Sequence, residues 1–109
     1  MDIFSELKEV NGPLYDQLIK IARVAIHKGN DYSNGDPFSA FKGSAILPGI
    51  EVEQVFLCLI NLKMTRALNL ASKPAKYEQL EDTLMDLAVY ILLYRAYVDE
   101  REGAIVESR

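Results

Sequence analysis

Two apolar segments in the second half of the sequence carry charged side chains at positions that a helix would bury. Lys63 and Arg66 stand among leucine and phenylalanine in "FLCLINLKMTRALNL", and Asp82 and Asp86 lie one helical turn apart in "YEQLEDTLMDLAVYILLYRAY". Cations hold phosphate groups, and carboxylates hold hydroxyl groups or a hard metal ion. These four residues are therefore the first candidates for a binding site.

The position of Lys63 on its helix predicts that it faces the core. At ~100° per residue, Phe56 and Leu70 point in the same direction as Lys63, and Arg66 lies at the edge of that sector. A buried ammonium group without a partner costs several kcal/mol. We therefore expect an anion opposite Lys63.

The second segment predicts a polar stripe on a helix that is otherwise apolar. Asp82, Asp86 and Tyr90 recur at i, i+4 and i+8, while leucine, isoleucine and methionine occupy several other faces of the same helix. A helix that is apolar on several faces must be covered on several sides. We therefore expect the protein to be a homo-oligomer.

Two interpretations of these charges remain open. The cations of one helix and the carboxylates of the other could neutralise each other as an interior ion-pair network. However, buried ion pairs stabilise a fold poorly compared with packed apolar side chains. A pocket lined by Lys, Arg, Asp and Tyr is suited to a nucleotide-like ligand, since cations bind phosphates, carboxylates bind ribose hydroxyls and aromatic rings stack on a base.

The remaining pattern predicts an all-α fold, a small antiparallel bundle of about four helices in one domain, 1–109. Asp2 is placed to cap the first helix, and Gly29 is expected to end the second. Asn, Asp, Gly and Pro are concentrated in the segment that follows, where Phe38 and Phe41 are expected to fix a long loop to the core. The predicted divisions are an N-terminal helix and turn (1–12), a second helix (13–28), a long binding loop (29–50), a third helix (51–71), a fourth helix (76–101) and a frayed tail (102–109).

Composition excludes several functional classes. The net charge of −4 and pI of about 4.9 argue against a nucleic acid polymer as partner, because phosphate backbones require a basic surface. Cys58 is the single cysteine, so no internal disulfide is expected. We therefore expect the protein to occur in a reducing compartment. Neither a signal-peptide pattern nor a long apolar run occurs, so we expect a cytoplasmic protein without membrane contact.

Three motifs resemble those of the nucleotide-modification-associated domain 1 family, small proteins found largely in phages and prophages. They are "KGNDYSNGDPFSAF", "LKMTRALNL" and "YEQLEDTLMDLAVYILL", and the likeness covers residues 28–93. The resemblance implies a nucleotide-related phage protein, acting in the cytoplasm of an infected host cell. Together with the charge pattern it predicts the ligand-binding residues Lys28, Asp31, Tyr32, Phe38, Lys63, Arg66, Asp82, Asp86 and Tyr90.

Three functional hypotheses follow. The first is a protein that binds a phosphorylated nucleotide or nucleotide-derived signal without transforming it, and that sequesters a host immune second messenger; it needs no catalytic residue and no cofactor. The second rests on a distant resemblance to the MazG-like all-α nucleoside triphosphate pyrophosphatases, and implies Mg²⁺ held by Glu81, Asp82 and Asp86. The third is a structural helical oligomer without a ligand, in which the charges are ion pairs.

Overall fold

A computed structural model describes the backbone of residues 2–32 and 36–107, and the side chains of residues 2–27, 36–73 and 75–103. All regular secondary structure in the described residues is helical, which confirms the all-α prediction. The chain divides into two compact units, residues 1–32 and 33–109. The helices are α1 (Ile3–Val10), α2 (Gly12–Tyr32), α3 (Ser39–Ile46), α4 (Val52–Ala71) and α5 (Tyr77–Glu107), with a single 3-10 turn (Pro74–Lys76) before α5.

The first unit is a pair of helices, each started by a polar side chain. Asp2 caps α1 as predicted, since its Oδ1 accepts a hydrogen bond from the N–H of Ser5 at 2.9 Å. Asn11 begins α2 in the same way, accepting from the N–H of Leu14 at 3.1 Å. The ammonium of Lys8 lies 5.6 Å from the centre of the Tyr15 ring, a cation–π contact that joins the two helices.

The second unit is built on an antiparallel hairpin of α4 and α5. A capping box starts α4, in which Glu51 and Gln54 each accept a hydrogen bond from the backbone N–H of the other. The short turn at Pro74 then reverses the chain. Two ion pairs along the contact, Glu53 with Arg101 near the start of α4 and Lys63 with Asp86 near its middle, show that the helices run in opposite directions.

Aromatic rings fill the core of the second unit, and Phe56 of α4 lies at their centre with no exposed surface. The Phe41 ring stacks on Phe56 at 4.3 Å between centroids, and Tyr94 stacks on it at 5.4 Å. Phe38 and Tyr97 approach Phe56 at 6.5 Å and 5.7 Å and each other, edge to face, at 5.6 Å. Such pairs stabilise beyond the area they bury, so this cluster joins α3, α4 and α5.

The predicted irregular segment over 29–50 is corrected by the structure. The helix expected to end at Gly29 continues to Tyr32, and Ser39–Ile46 forms α3. Asp36 organises the start of α3, because its carboxylate accepts from the N–H of Phe38 at 2.9 Å and pairs with Lys42 at 2.7 Å. Residues 33–35 lie outside the described part of the chain.

Two further boundaries differ from the prediction. The fourth predicted helix corresponds to α5, which extends through Glu107 instead of ending at 101, so the described part of the expected frayed tail is helical. Gly49 makes the turn between α3 and α4 with a φ of 68°, a left-handed conformation that glycine adopts without strain. The bundle of about four helices and the single domain remain predictions. Within the described residues, no helix is both long and apolar enough to cross a bilayer.

Phe56→Ala tests the central role of the aromatic cluster. Removing a fully buried ring that contacts four others should lower the free energy of unfolding by about 3–5 kcal/mol, measured by urea denaturation. Leu62→Ala, on the same helix but 62% exposed, is the matched control and should cost less than about 1 kcal/mol. Equal effects of the two substitutions would contradict the assigned core.

Asp36→Asn tests the start of α3 through its pH dependence. The Lys42 ammonium, helped by the N–H of Phe38, holds the pKa of the Asp36 carboxyl below its ordinary value of 3.8. A carboxyl with a lower pKa in the folded state contributes stability that is complete above pH 3.8 and is lost as the pH falls through the folded pKa. The variant should therefore be less stable than the parent at pH 7, and the difference should disappear in acid. A difference that does not change with pH would contradict this assignment.

Candidate functional site

Lys63 lies on the buried face of α4, as its helical spacing predicted. Phe56 and Leu70, each two turns away along the same side of the helix, are buried. The Lys63 ammonium reaches the carboxylate of Asp86 on α5 at 3.1 Å, and the two side chains are 22% and 27% exposed. The expected meeting of this cation with a carboxylate is therefore present, in a position shielded from solvent by two apolar helices.

The other two charges of the predicted set are arranged differently. Arg66 and Asp82 are both exposed, and neither makes an ion pair with another described residue. Arg66 follows Lys63 by one turn, and Asp82 precedes Asp86 by one turn. Because α4 and α5 are antiparallel, Arg66 and Asp82 are both displaced from the Lys63–Asp86 ion pair towards the turn that joins the two helices. A closed interior network of all four charges is therefore not formed.

We refer to Lys63, Arg66, Asp82 and Asp86 together as the charged strip. Its two inner members neutralise each other, and its two outer members present a guanidinium and a carboxylate to solvent. Arg66 offers a planar set of donors that matches phosphate or carboxylate oxygens. Asp82 offers acceptors for hydroxyl groups.

Two of the three aromatic residues of the predicted site, Phe38 and Tyr90, contact the packed aromatic core. Phe38 is 3% exposed and contacts Phe56 and Tyr97, so its ring is not accessible to a ligand in this structure. Tyr90 is half-buried and approaches the Phe41 ring edge to face at 6.3 Å. The expected role of Phe38 in stacking on a base is therefore corrected.

Three predicted residues of the first motif lie in the first unit. Lys28, Asp31 and Tyr32 belong to the last turns of α2, and their side chains are outside the described residues. Two open surface grooves also lie on this unit, one along α2 and one between α1 and α2, and neither contains a predicted ligand-binding residue.

The carboxylates proposed for Mg²⁺ do not form one group. Glu81 and Asp82 are exposed on α5, whereas Asp86 is paired with Lys63. Among the described side chains, no three His, Cys, Asp or Glu residues are close enough together to hold a metal ion.

Sequence reasoning missed a second polar contact between the two helices, at the open end of the hairpin. Glu53 forms an ion pair with Arg101 and accepts a hydrogen bond from the Tyr94 hydroxyl at 3.3 Å. The Arg101 guanidinium also lies 5.9 Å from the centre of the Tyr97 ring. Once Lys63 is paired with Asp86, the antiparallel alignment brings residue 53 within about a turn of residue 101, so the alignment itself was the available signal.

Comparison with protein-family models, with curated proteins and with solved structures finds no match to this chain. The fold and the charged strip define an all-α protein with a helical hairpin, and the resemblance to the nucleotide-modification-associated domain 1 family stays a prediction.

A double-mutant cycle on Lys63→Met and Asp86→Leu tests the half-buried ion pair. Each single change leaves a shielded charge without this partner, whereas the double change replaces both charges with apolar groups. We expect a coupling free energy of about 1–2 kcal/mol in urea denaturation, between the values for exposed and buried pairs. The exposed i,i+4 pair of Arg95 and Asp99 is the control and should couple by less than about 0.5 kcal/mol. Similar coupling in the two cycles would contradict the shielding of the Lys63 pair.

Proposed function

We propose that the charged strip binds a phosphorylated nucleotide or a nucleotide-derived signal. The observation that supports this most directly is the exposed pair of Arg66 and Asp82 beside the shielded pair of Lys63 and Asp86. An ion-pair network that served only stability would be expected to close on itself. Here Arg66 and Asp82 remain open to solvent. Arg66 lies one turn from Lys63 on α4, and Asp82 lies one turn from Asp86 on α5.

The composition of the strip fits a ligand that carries both phosphate and hydroxyl groups. The Arg66 guanidinium can bind two phosphate oxygens at once, and such charge-assisted hydrogen bonds are about twice as strong as neutral ones. Lys63 adds a second positive charge close by, although Asp86 competes for it. Asp82 would repel a phosphate but accept hydrogen bonds from a ribose diol, so the strip favours the sugar–phosphate part of a nucleotide over inorganic phosphate.

The resemblance described above extends this proposal to a biological role. In a phage-encoded protein, binding without chemical change would sequester a host immune second messenger. That role depends on the family likeness, whereas the binding itself depends on the charged strip. Residues of the first unit are not needed for this argument.

The proposal is tested by identifying what the protein binds. The purified protein is incubated with linear and cyclic nucleotides, with and without Mg²⁺, and then heat-denatured so that released ligand can be analysed. We expect a nucleotide to be recovered unchanged. Recovery of a hydrolysed product only in the presence of Mg²⁺ would favour the pyrophosphohydrolase instead, and no bound nucleotide would favour the structural oligomer.

Arg66→Ala locates the binding on the charged strip. Loss of one charge-assisted contact should weaken nucleotide binding by about 10- to 100-fold in calorimetry, with little change in stability because Arg66 is exposed. Arg23→Ala removes another exposed arginine from a helix of the first unit and should leave the affinity unchanged. Loss of binding in the Arg23 variant alone would place the nucleotide elsewhere and contradict the proposal.

A further inference from the structure

One side of the α4–α5 hairpin is apolar and is not covered by the other described residues of the second unit. On α5, Tyr77, Leu84 and Ile91 recur every seven residues and are 68%, 49% and 48% exposed. Leu80, Leu87 and Tyr94 occupy the second position of the same heptad; they are half-buried at the edge of the contact with α4, where Tyr94 stacks on Phe56. A stripe of apolar residues at alternating steps of three and four is the pattern with which one helix packs along another.

Exposed apolar residues of α4 lie on the same side of the hairpin. Glu53 contacts Tyr94 and Arg101, which identifies the edges of α4 and α5 that adjoin each other there. At ~100° per residue, three apolar residues of α4 lie just beyond Glu53 on the side facing away from Lys63: Leu57, Met64 and Leu68. All three are at least half exposed. We call Leu57, Met64, Leu68, Tyr77, Leu84 and Ile91 the apolar flank.

The opposite side of the hairpin differs in both cover and charge. Val55, which points away from Leu57 across α4, is buried. Arg66 and Asp82 lie on this side as well. Around their helices, both lie across the Lys63–Asp86 ion pair from Glu53. Because the apolar flank shares neither feature, its exposure is not explained by the packing of the second unit.

We infer that the apolar flank is the interface of a homodimer in which α5 packs antiparallel against α5 of a second copy. The inference is independent of the proposed nucleotide binding, and it assigns a surface and a direction to the self-association expected from the sequence. A second copy is a suitable occupant because the heptad stripe is complementary to itself. When the stripe is reversed about residue 89, each seven-residue step of one copy meets an intermediate position of the other, so that Leu84 lies at the level of position 94 and Ile91 at the level of position 87 in the second copy.

The charges beside the heptad stripe favour the antiparallel direction. Glu81, Ala88 and Arg95 all lie one position after the intermediate residues of the stripe. In an antiparallel pair of this alignment, Glu81 and Arg95 of the partner subunit lie within ~3 Å of the same level, and the two copies of the small Ala88 side chain pass each other near the centre. Arg95 is 76% exposed and bonds Asp99 through Nε at 3.1 Å, so its terminal nitrogens can donate to Glu81 of the partner subunit.

The size of the flank indicates a dimer of moderate stability. The stripe from residue 77 to residue 98 is ~33 Å long at 1.5 Å per residue, and with the α4 residues the flank covers on the order of 500 Å² per copy. This is close to the ~600 Å² per copy of the smallest specific interfaces. Because buried area alone does not determine affinity, the association is measured over a wide range of protein concentrations.

Sedimentation equilibrium of the full chain tests the interface. We expect a species of twice the chain mass of 12.3 kDa at high protein concentration. Ile91→Lys places a charge in the middle of the flank and should raise the dimer dissociation constant at least about 30-fold. Leu62→Lys is the matched control, since Leu62 is also a large apolar side chain, is 62% exposed and lies on the side of α4 opposite to Leu57, Met64 and Leu68, so it should leave the constant unchanged.

A loss of the dimer has to be distinguished from a loss of folding. Circular dichroism establishes that both variants keep their helices, so that a loss of dimer reports on the surface and not on folding. A monomer at every concentration would overturn the inference, as would a dimer that the Leu62 substitution disrupts and the Ile91 substitution does not. Neither result depends on whether a nucleotide binds.

Cross-linking determines the direction of the two α5 helices. In a Cys58→Ala background, Ala88→Cys should join two chains through a short thiol-reactive linker, because the two copies of residue 88 pass each other near the centre of an antiparallel pair. Leu84→Cys should not, because its two copies would be ~15 Å apart along the axis. The reverse result would show a parallel pair and would overturn the arrangement inferred here.

Discussion

The burial of the Phe56 ring is the contact on which the second unit depends. An eight-residue helix such as α3 is too short to be stable alone, so its position must come from tertiary packing. Phe38 and Phe41 supply that packing, because both rings contact Phe56. The same ring stacks on Tyr94 of α5. Three helices therefore meet at one side chain, and the open end of the hairpin is held by aromatic contacts.

Polar contacts then select one alignment of the hairpin among those that apolar packing permits. Leucine-rich helices can slide along each other with little change in buried area, because their side chains are similar in size and shape. Sliding by one turn would separate Lys63 from Asp86 and Glu53 from Arg101, and would leave a shielded charge unpaired. The two ion pairs thus act on the alignment of α4 with α5 more than on the total stability.

The sequence predicted the elements whose signals are local and missed those that tertiary packing decides. Asp2 and the helical spacing of apolar residues located α1 and α4 to within about a residue. Gly29 and the Asn, Asp and Pro residues after it favour turns, yet α2 continues past Gly29 and α3 forms where a loop was predicted. The sequence predicted that Phe38 and Phe41 would fix this segment to the core, which the structure confirms, but it did not predict that the segment would be helical, because tertiary packing stabilises α3 against its local turn preferences.

The residues of the candidate site were predicted from the sequence, but their exposure was predicted only in part. Helical spacing alone placed Lys63 and Asp86 on facing surfaces, because both lie near the centre of the sector that packs. Arg66 and Asp82 lie about 40–60° from that centre, where the exact positions of the neighbouring helices decide between burial and exposure. Spacing could therefore identify the four residues, but it could not show that only two of them would be shielded.

The charged strip and the apolar flank lie on different sides of the hairpin, so ligand binding and self-association would use different surfaces. If the flank is covered by a second copy, Arg66 and Asp82 of both copies stay on the outer sides of the dimer. Each dimer would then hold two complete and equivalent strips, neither of which borrows a residue from the other chain. Association would stabilise α5 along its length without occupying the strip. The ligand would accordingly bind to each strip independently, and its affinity would not require the dimer to form.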